Sequence, residues 1–446
     1  MRDRNGISRK IVAPYPHAPA FWLAVLLAAV SGAGLGQTNT ENFAQLKFNF
    51  NNPGARAAGI GGAFISIADD ATAAEANPAG LTALLRPEFS FETKAIRYTR
   101  DVGNFSHTGT QADYTLQSKD FNNTVFSPSF GTAVYPHRRF TFSLFRYELV
   151  NFESTFYTKG SLVPPLTDGT YFFPVNSSIK MSIVNWGGAV AYRFNERFSL
   201  GASFGLSHIS MTSSLARYFL EVFSPGNLAN IATIDDAGND FFANVGLIYH
   251  PTEKLSFGAI YKRRPSFSLQ HAFRISSIPA DTTTLKTIHF NVPSSIGAGV
   301  SYRPTDLLTL AFDADWVSYS SLTKDFVLTI SETDASAADF KVDDGFEFHL
   351  GAEYVVLLRH IGFVFRAGGF VEPDNRIRWV GNVNDSNDGN RIFSRELLAA
   401  LFRPGSTLVH YTFGLGVVFS NSFQLDLAGT MSTETKEAIG SFVVRL

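Results

Sequence analysis

From Arg197 onward, Phe198, Leu200, Ala202, Phe204 and Leu206 alternate with Ser199, Gly201, Ser203, Gly205 and Ser207. A period of two puts all the bulky apolar side chains on one face of an extended chain and the small or polar ones on the other, which no helix can do. The same pattern runs through Leu308 to Trp316, with Asp313 and Asp315 in the alternate phase, and through Tyr411 to Phe419. It recurs in shorter form at Leu255-Phe257-Ala259-Tyr261, Ile296-Ala298-Val300-Tyr302 and Phe423-Leu425-Leu427. Strand candidates fall near 88–100, 124–136, 139–152, 180–194, 197–213, 240–250, 254–270, 286–303, 306–319, 345–357, 360–372, 407–420, 422–433 and 436–446. That makes about fourteen, with the usual uncertainty of a few residues at each boundary.

Between these candidates, short and long connections alternate. Pro136-His137-Arg138, Asn195-Glu196, Pro251-Thr252-Glu253, Pro304-Thr305, Leu358-Arg359 and Asn421 are tight, whereas the stretches near 152–180, 213–240, 270–286, 319–345 and 372–407 are long. A soluble sandwich has no reason to alternate in this way. A transmembrane barrel does, with short turns on the periplasmic side and long loops outside. Tyr192, Tyr249, Tyr302, Trp316 and Tyr354 near strand ends fit aromatic girdles at the two membrane interfaces. The chain ends on Phe442, Val444 and Leu446 in one phase and Val443 and Arg445 in the other, the pattern of a closing strand. The fold class is therefore all-β: a transmembrane antiparallel barrel over 88–446.

The first forty residues have a different character. Arg2, Arg4, Arg9 and Lys10 precede an uncharged stretch from Phe21 to about Gly36, followed by polar Gln37-Thr38-Asn39. A basic flank, a short apolar core and small residues before a polar segment describe a secretory signal over 1–36. The core is shorter than the roughly 20 residues a spanning helix needs, and nothing after it approaches that length. Membrane crossing thus falls to strands.

Composition narrows the chemistry. The chain of 446 residues has no cysteine, which excludes disulfides, thiolate metal sites and Cys nucleophiles. A formal charge of -2 leaves no basic excess for nucleic acid. Phenylalanine occurs 43 times while charged residues make up 17%, so apolar surface is plentiful and spread along the chain.

Residues 37–87 read as an N-terminal hatch, or plug. Gly59-Ile60-Gly61-Gly62-Ala63-Phe64, Ala68-Asp69-Asp70-Ala71 and Asn77-Pro78-Ala79-Gly80-Leu81 are too small to face lipid and suit close approach of backbone to backbone inside a lumen. These three motifs, together with Ala314-Asp315-Trp316 and His410-Tyr411-Thr412-Phe413-Gly414-Leu415-Gly416, resemble the long-chain fatty-acid transporter family of outer-membrane proteins (FadL/TodX-like). That family also includes aromatic-hydrocarbon channels and a type IX secretion shuttle, PorV. The resemblance implies a fourteen-stranded barrel closed by its hatch, with an apolar ligand captured outside, passed to an inner pocket and released after a hatch or wall movement.

Candidate site residues follow from these motifs. Gly59, Gly61, Gly62, Asp69, Asp70, Asn77, Pro78, Ala79 and Gly80 form the hatch and gating set: Asn77 can tie a turn through its amide and Pro78 fixes one backbone angle. The rival reading makes this stretch only a turn into the first strand. Asp69 and Asp70 are expected to tether the plug to the wall. Asp313, Asp315, Arg366, Asp426 and Arg445 fall in the non-lipid phase and face the lumen, where Arg366, Asp313 and Asp315 are the candidate ligand contacts.

Other motifs lose their context. Gly201-Ala202-Ser203-Phe204-Gly205 matches the serine-hydrolase elbow as a string, but its serine sits mid-strand rather than on a strand-to-helix turn. The Gly59–Gly62 glycines lack the strand, helix and ribose-binding acid of a dinucleotide site. The histidines show no ligand spacing. No catalytic residue, metal or cofactor is expected, and Arg395–Phe402 reads as a short helix in the last long loop.

The expected function is passive uptake of hydrophobic small molecules, such as long-chain fatty acids or hydrocarbons, through a plugged barrel in the bacterial outer membrane. The alternative is a PorV-like docking or shuttle protein for secreted proteins. A water-filled porin is disfavoured because the plug would fill its bore. Expected partners are an apolar ligand, outer-membrane lipid and lipopolysaccharide, and the barrel-assembly machinery during biogenesis, with a monomeric barrel and no nucleic acid.

Overall fold

A computed structural model describes residues 51–107, 114–158, 161–162, 171–172, 175–218, 228–275, 283–326, 337–358, 361–381, 402–419 and 422–446. The signal segment and the helix expected at 395–402 lie outside these, apart from Phe402. Fourteen antiparallel strands form one closed sheet. They are β1 (Glu88–His107), β2 (Tyr114–His137), β3 (Phe140–Thr158), β4 (Val175–Arg193), β5 (Phe198–Tyr218) and β6 (Leu228–Thr252). Then come β7 (Leu255–Arg263 continued by Ser266–Ile275) and β8 (Thr283–Asn291 continued by Ser295–Thr305), each interrupted once. The circuit finishes with β9 (Leu308–Val317), β10 (Gly345–Leu358), β11 (Ile361–Glu372), β12 (Leu408–Phe419), β13 (Phe423–Met431) and β14 (Thr435–Arg445). Glu88 opposite Arg445 through Tyr98 opposite Thr435 zips the last strand to the first and closes the sheet on itself.

Alternation in sequence becomes alternation in exposure. Along β5, Ala202, Phe204 and Leu206 are exposed on the outer face while Ser203 and Ser207 are buried inside. Phe140, Phe142, Leu144, Phe312, Phe348 and Phe413 likewise stand outward as large exposed apolar groups. In water such a surface would aggregate; against acyl chains it is the stable arrangement.

A reversal of phase limits this outer belt. Above Leu206 on β5 the outward positions become His208, Ser210 and Thr212, while Ile209 and Met211 turn inward and are fully buried. On β4 the outward Trp186 and Val190 give way to Lys180 and Ser182, with Ile179, Met181 and Ile183 inside. On β3, Phe140, Phe142 and Leu144 face out and Phe145, Tyr147 and Phe152 face in. The barrel wall therefore rises beyond its apolar belt into a collar that is polar outside and apolar within.

Among the described residues the wall is interrupted in several places, two of which open gaps between neighbouring strands. Pairing of β2 with β3 runs only from His137 opposite Phe140 to Phe130 opposite Tyr147. Beyond that point β2 stays paired with β1 and β3 with β4. Both strands carry an extra residue at the parting, Ser129 in β2 and Leu149 in β3. Pro128, which has no N–H to give to a ladder, sits beside the first of these bulges. The second defect lies between β6 and β7, where Arg264-Pro265 breaks β7. There the Ser266 and Gln270 amides donate to the side chains of Asp240 and Asp236, both at 2.8 Å, in place of a partner strand.

Candidate functional site

The N-terminal segment, from Asn51 to the start of β1, lies inside the bore. It is built of α1 (Ala55–Gly59), α2 (Ala73–Ala76) and a 3-10 helix (Pro78–Ala83) joined by turns. Helix α1 packs on β11–β14, and the 3-10 helix on β3–β6 across the barrel. Such short helices have little stability of their own and depend on the wall around them.

Glycine makes the close approach possible. Gly61 and Gly62 adopt φ of 70° and 77°, a left-handed backbone that L side chains rarely take. A Cβ on Gly61 would lie 2.6 Å from both the Gly369 nitrogen and the Leu350 carbonyl, and one on Gly80 would lie 1.7 Å from the Ala68 carbonyl. Ala79 and Pro78 in turn press on Gly201 of β5, while Gly59 meets Gly414 of β12.

Asn77 is fully buried and bonds in three directions. Its amide donates to the Ile65 carbonyl at 2.8 Å and to the Leu247 carbonyl of β6 at 3.1 Å, while its Oδ1 accepts from the Ala79 amide at 3.3 Å. Pro78 opens the 3-10 helix at a position where a missing N–H costs nothing. One asparagine thus joins two turns of the segment to the barrel wall.

A chain of charges crosses the opposite side. Arg56 donates from Nε and Nη2 to the two carboxylate oxygens of Glu353 in β10, at 2.9 and 3.0 Å, and from Nη1 to Asp69, with Asp70 3.5 Å away. Arg366 of β11 donates to the same Glu353 at 2.7 Å and to Asp426 of β13 at 2.6 Å. Burial pushes the Asp70 carboxyl above its ordinary range, against the pull of Arg56. Asp313 accepts the Ile65 amide at 2.8 Å, and Asp315 sits 4.0 Å from His349, whose Nδ1 lies 2.7 Å from the Gly61 carbonyl. The structure therefore places the three lumen residues Arg366, Asp313 and Asp315 against the N-terminal segment or its immediate supports.

A second buried cluster was not legible in the chain. Glu75 of α2, wholly buried, receives Arg264 at 2.7 Å and Asn244 at 2.9 Å, with Lys262 3.9 Å away. It ties α2 to the place where β7 breaks. The only hint in sequence is a lone acid in the alanine run Ala73-Ala74-Glu75-Ala76. Arg56 stands just before the glycine-rich motif, yet its partner Glu353 lies 297 positions away and no local pattern joins them.

Above the segment the lumen is lined by Phe145, Phe152, Met181, Ile209, Met211 and Phe267, with Phe242 meeting Phe145 at a ring separation of 5.9 Å. The sequence reading expected the inner face to be small or polar. That holds beside the N-terminal segment and fails in the collar, because there water rather than lipid surrounds the barrel and the apolar phase has nowhere to go but inward. At the parting of β2 and β3, polar side chains bridge the gap next to the lining. Ser127 donates to Glu148 at 2.5 Å, Arg146 donates to the Pro128 carbonyl, and the Tyr98 hydroxyl donates to the Asn151 carbonyl at 3.1 Å. Among the described residues no group of three or more His, Asp or Glu is arranged to hold a metal.

Comparison with solved structures gives the same architecture at low identity. The CymD monoaromatic hydrocarbon channel is 15% identical, with a TM-score of 0.58, 90% of this chain and 99% of that one covered. The toluene transporter TbuX of Ralstonia pickettii is 16% identical, with a TM-score of 0.58 over 89% of this chain and 99% of its own. A Pseudomonas aeruginosa FadL homologue is 14% identical, with a TM-score of 0.59 over 89% and 98%. At such identities these likenesses speak to the fold. A search of curated protein sequences finds no match. The family model described as outer membrane protein transport protein (OMPP1/FadL/TodX) matches residues 36–373, most of the chain. With the closed fourteen-stranded barrel and its outward apolar belt, this match establishes that the chain is a bacterial outer-membrane β-barrel and belongs to the OMPP1/FadL/TodX family of transport proteins.

Proposed function

We propose that this barrel carries apolar small molecules, long-chain fatty acids or hydrocarbons, passively from the cell surface into the outer membrane. The observation that carries the reading is the reversal of phase on β3, β4 and β5, which lines the collar with Phe145, Phe152, Ile179, Met181, Ile209 and Met211. A channel for water or ions has no use for such a lining. For an apolar solute each methylene withdrawn from water is worth about 0.8 kcal/mol, so a greasy lumen offers a path past the polar polysaccharide layer.

Below the collar the N-terminal segment acts as a hatch. Its glycine contacts, Asn77 and the Arg56 to Asp426 charge chain anchor it on both sides of the bore, and the parting of β2 from β3 offers an exit sideways. A ligand in the collar then leaves between Ser127 and Glu148 toward the membrane, without hatch expulsion and without any covalent step. The apolar lining favours this reading over docking of secreted proteins, which would place its determinants on the outer loops.

Native mass spectrometry of protein extracted from its own outer membrane tests the proposal. A bound fatty acid or hydrocarbon that exchanges with added ligand supports it. An empty barrel that co-purifies with a secreted protein supports docking instead.

A further inference from the structure

At the periplasmic rim, three arginines converge on one side of the bore. Arg138 and Arg139 form the two-residue turn between β2 and β3, and Arg193 ends β4. Phe140 pairs with Tyr192, and the Arg193 amide donates to the Arg139 carbonyl at 2.9 Å, so Arg139 and Arg193 are direct cross-strand neighbours. Register gives their direction. Thr141, Ser143 and Phe145 of β3 and Ala189 and Ala191 of β4 are buried inside, Arg193 continues the inward phase of β4, and the exposed turn residues Arg138 and Arg139 join it around one pocket. Phe140 and Tyr192, in the other phase, meet outside with ring centroids 4.7 Å apart and planes tilted by 48°.

The three arginines line a pocket of about 130 Å³ together with Thr82, Leu84 and Leu85 from the end of the N-terminal segment. No acid lines it, and none of the three guanidinium groups has an ion-pair partner among the described residues. The nearest acids along the rim are engaged or exposed: Glu88 is held by Arg445 at 2.9 Å, and Glu196 stands in solvent on the next turn. Like charges directly opposite each other on neighbouring strands repel, and Arg138 in addition holds a left-handed φ of 56° in its turn. A bound anion would relieve that repulsion, and guanidinium groups match a carboxylate with paired donors.

We propose that Arg138, Arg139 and Arg193 form a site for the carboxylate of an apolar acid at the periplasmic mouth, with Leu84, Leu85 and Pro136 receiving the start of its chain. The inference rests on the uptake reading above for its ligand class alone: an apolar acid released sideways into the membrane would reach this mouth from the periplasmic side, and hydrocarbons carry no such group. The inward register of Arg193 and the lining by Thr82, Leu84 and Leu85 of the N-terminal segment argue against the phosphate of a surrounding membrane lipid, which would meet Phe140 and Tyr192 instead.

Because the chain has no cysteine, Leu85→Cys gives a unique attachment point for an environment-sensitive dye at the pocket, on a side chain that is 79% exposed. The labelled barrel in a non-ionic detergent is titrated with sodium octanoate, octan-1-ol and inorganic phosphate at constant ionic strength. The expected result is a saturable response to octanoate, none to octan-1-ol, a half-saturation for phosphate at least ten-fold higher, and a ten-fold weaker octanoate response in Arg139→Gln/Arg193→Gln. Arg193→Lys, which keeps the charge, should fall between. Equal responses to octanoate and octan-1-ol, phosphate saturating at the same concentration as octanoate, or a double variant titrating like its parent would each overturn the assignment. Native mass spectrometry of the double variant separates the two proposals: an apolar ligand still bound in the collar leaves the uptake reading intact whichever way the dye titration falls.

Discussion

Arg56 and Glu353 meet in a two-pronged ion pair, Nε to Oε2 at 2.9 Å and Nη2 to Oε1 at 3.0 Å, joining the first helix inside the barrel to a wall strand 297 positions later. Arg366 reaches the same carboxylate from the next strand, so one glutamate serves both the N-terminal segment and the wall.

Removing that carboxylate should free the N-terminal segment before it harms the barrel. Glu353→Gln leaves Arg56 and Arg366 close together without their shared anion, a loss of about 3 kcal/mol for a buried pair. In planar bilayers the variant is expected to show frequent transient openings absent from the parent, while its heat-modifiable migration on gels stays normal. Silent bilayers with a folded variant would show that this pair does not hold the segment in place.

Gly61→Ala should act similarly by a different route. Its left-handed φ costs an alanine about 1–2 kcal/mol, and the new Cβ would strike the backbone at Gly369 and Leu350. Gly131→Ala is the matched control, because a Cβ there meets nothing within 4 Å. Leak and a lowered melting temperature are expected for the first and neither for the second.

The boundary of the lipid belt makes a prediction about arginine tolerance. Leu415, exposed on the outer face of β12, lies within the belt, whereas Ser210 on β5 stands above it. Leu415→Arg should cost about 2–4 kcal/mol near the bilayer midplane and depress the yield of assembled barrel, and Ser210→Arg should be neutral. Denaturant titration of barrels folded into lipid vesicles measures both, and similar costs at the two positions would erase the boundary.

Bridging the parting in the wall tests the exit. With Ser127→Cys and Asn151→Cys joined by a short bifunctional maleimide, the collar should still bind an apolar fluorophore while transfer of that fluorophore into surrounding lipid slows at least ten-fold. Unchanged transfer would send the ligand through the hatch instead.

Much of this architecture was legible from a period of two. All fourteen strand positions were foreseen, because lipid outside and a filled bore inside force every strand to declare its two faces. The sharp breaks at Pro265 and Pro293 were read as continuous strands, since neighbouring alternation hides a single missing pair. The apolar collar went unrecognised for a related reason: alternation survives the change from Leu206 to Ile209 and Met211, and only its phase moves. The hatch motifs pointed to tight backbone contact, and Gly61, Gly80 and Asn77 make it. Arg56 with Glu353, and Glu75 with Arg264, could not be paired from sequence, because their partners come together only when the barrel closes around the segment.

The most direct measurement is uptake of a radiolabelled hydrocarbon and a radiolabelled long-chain fatty acid by bacteria lacking their own apolar-solute channels. Cells carry either this barrel or its Ile209→Asp/Met211→Glu variant, with surface assembly matched by heat-modifiable migration. The account predicts that the parent raises the initial uptake rate of at least one of the two several-fold over empty cells and that the variant, with charges in its collar, returns it to background. Uptake at background in both, or equal uptake by parent and variant, would contradict it.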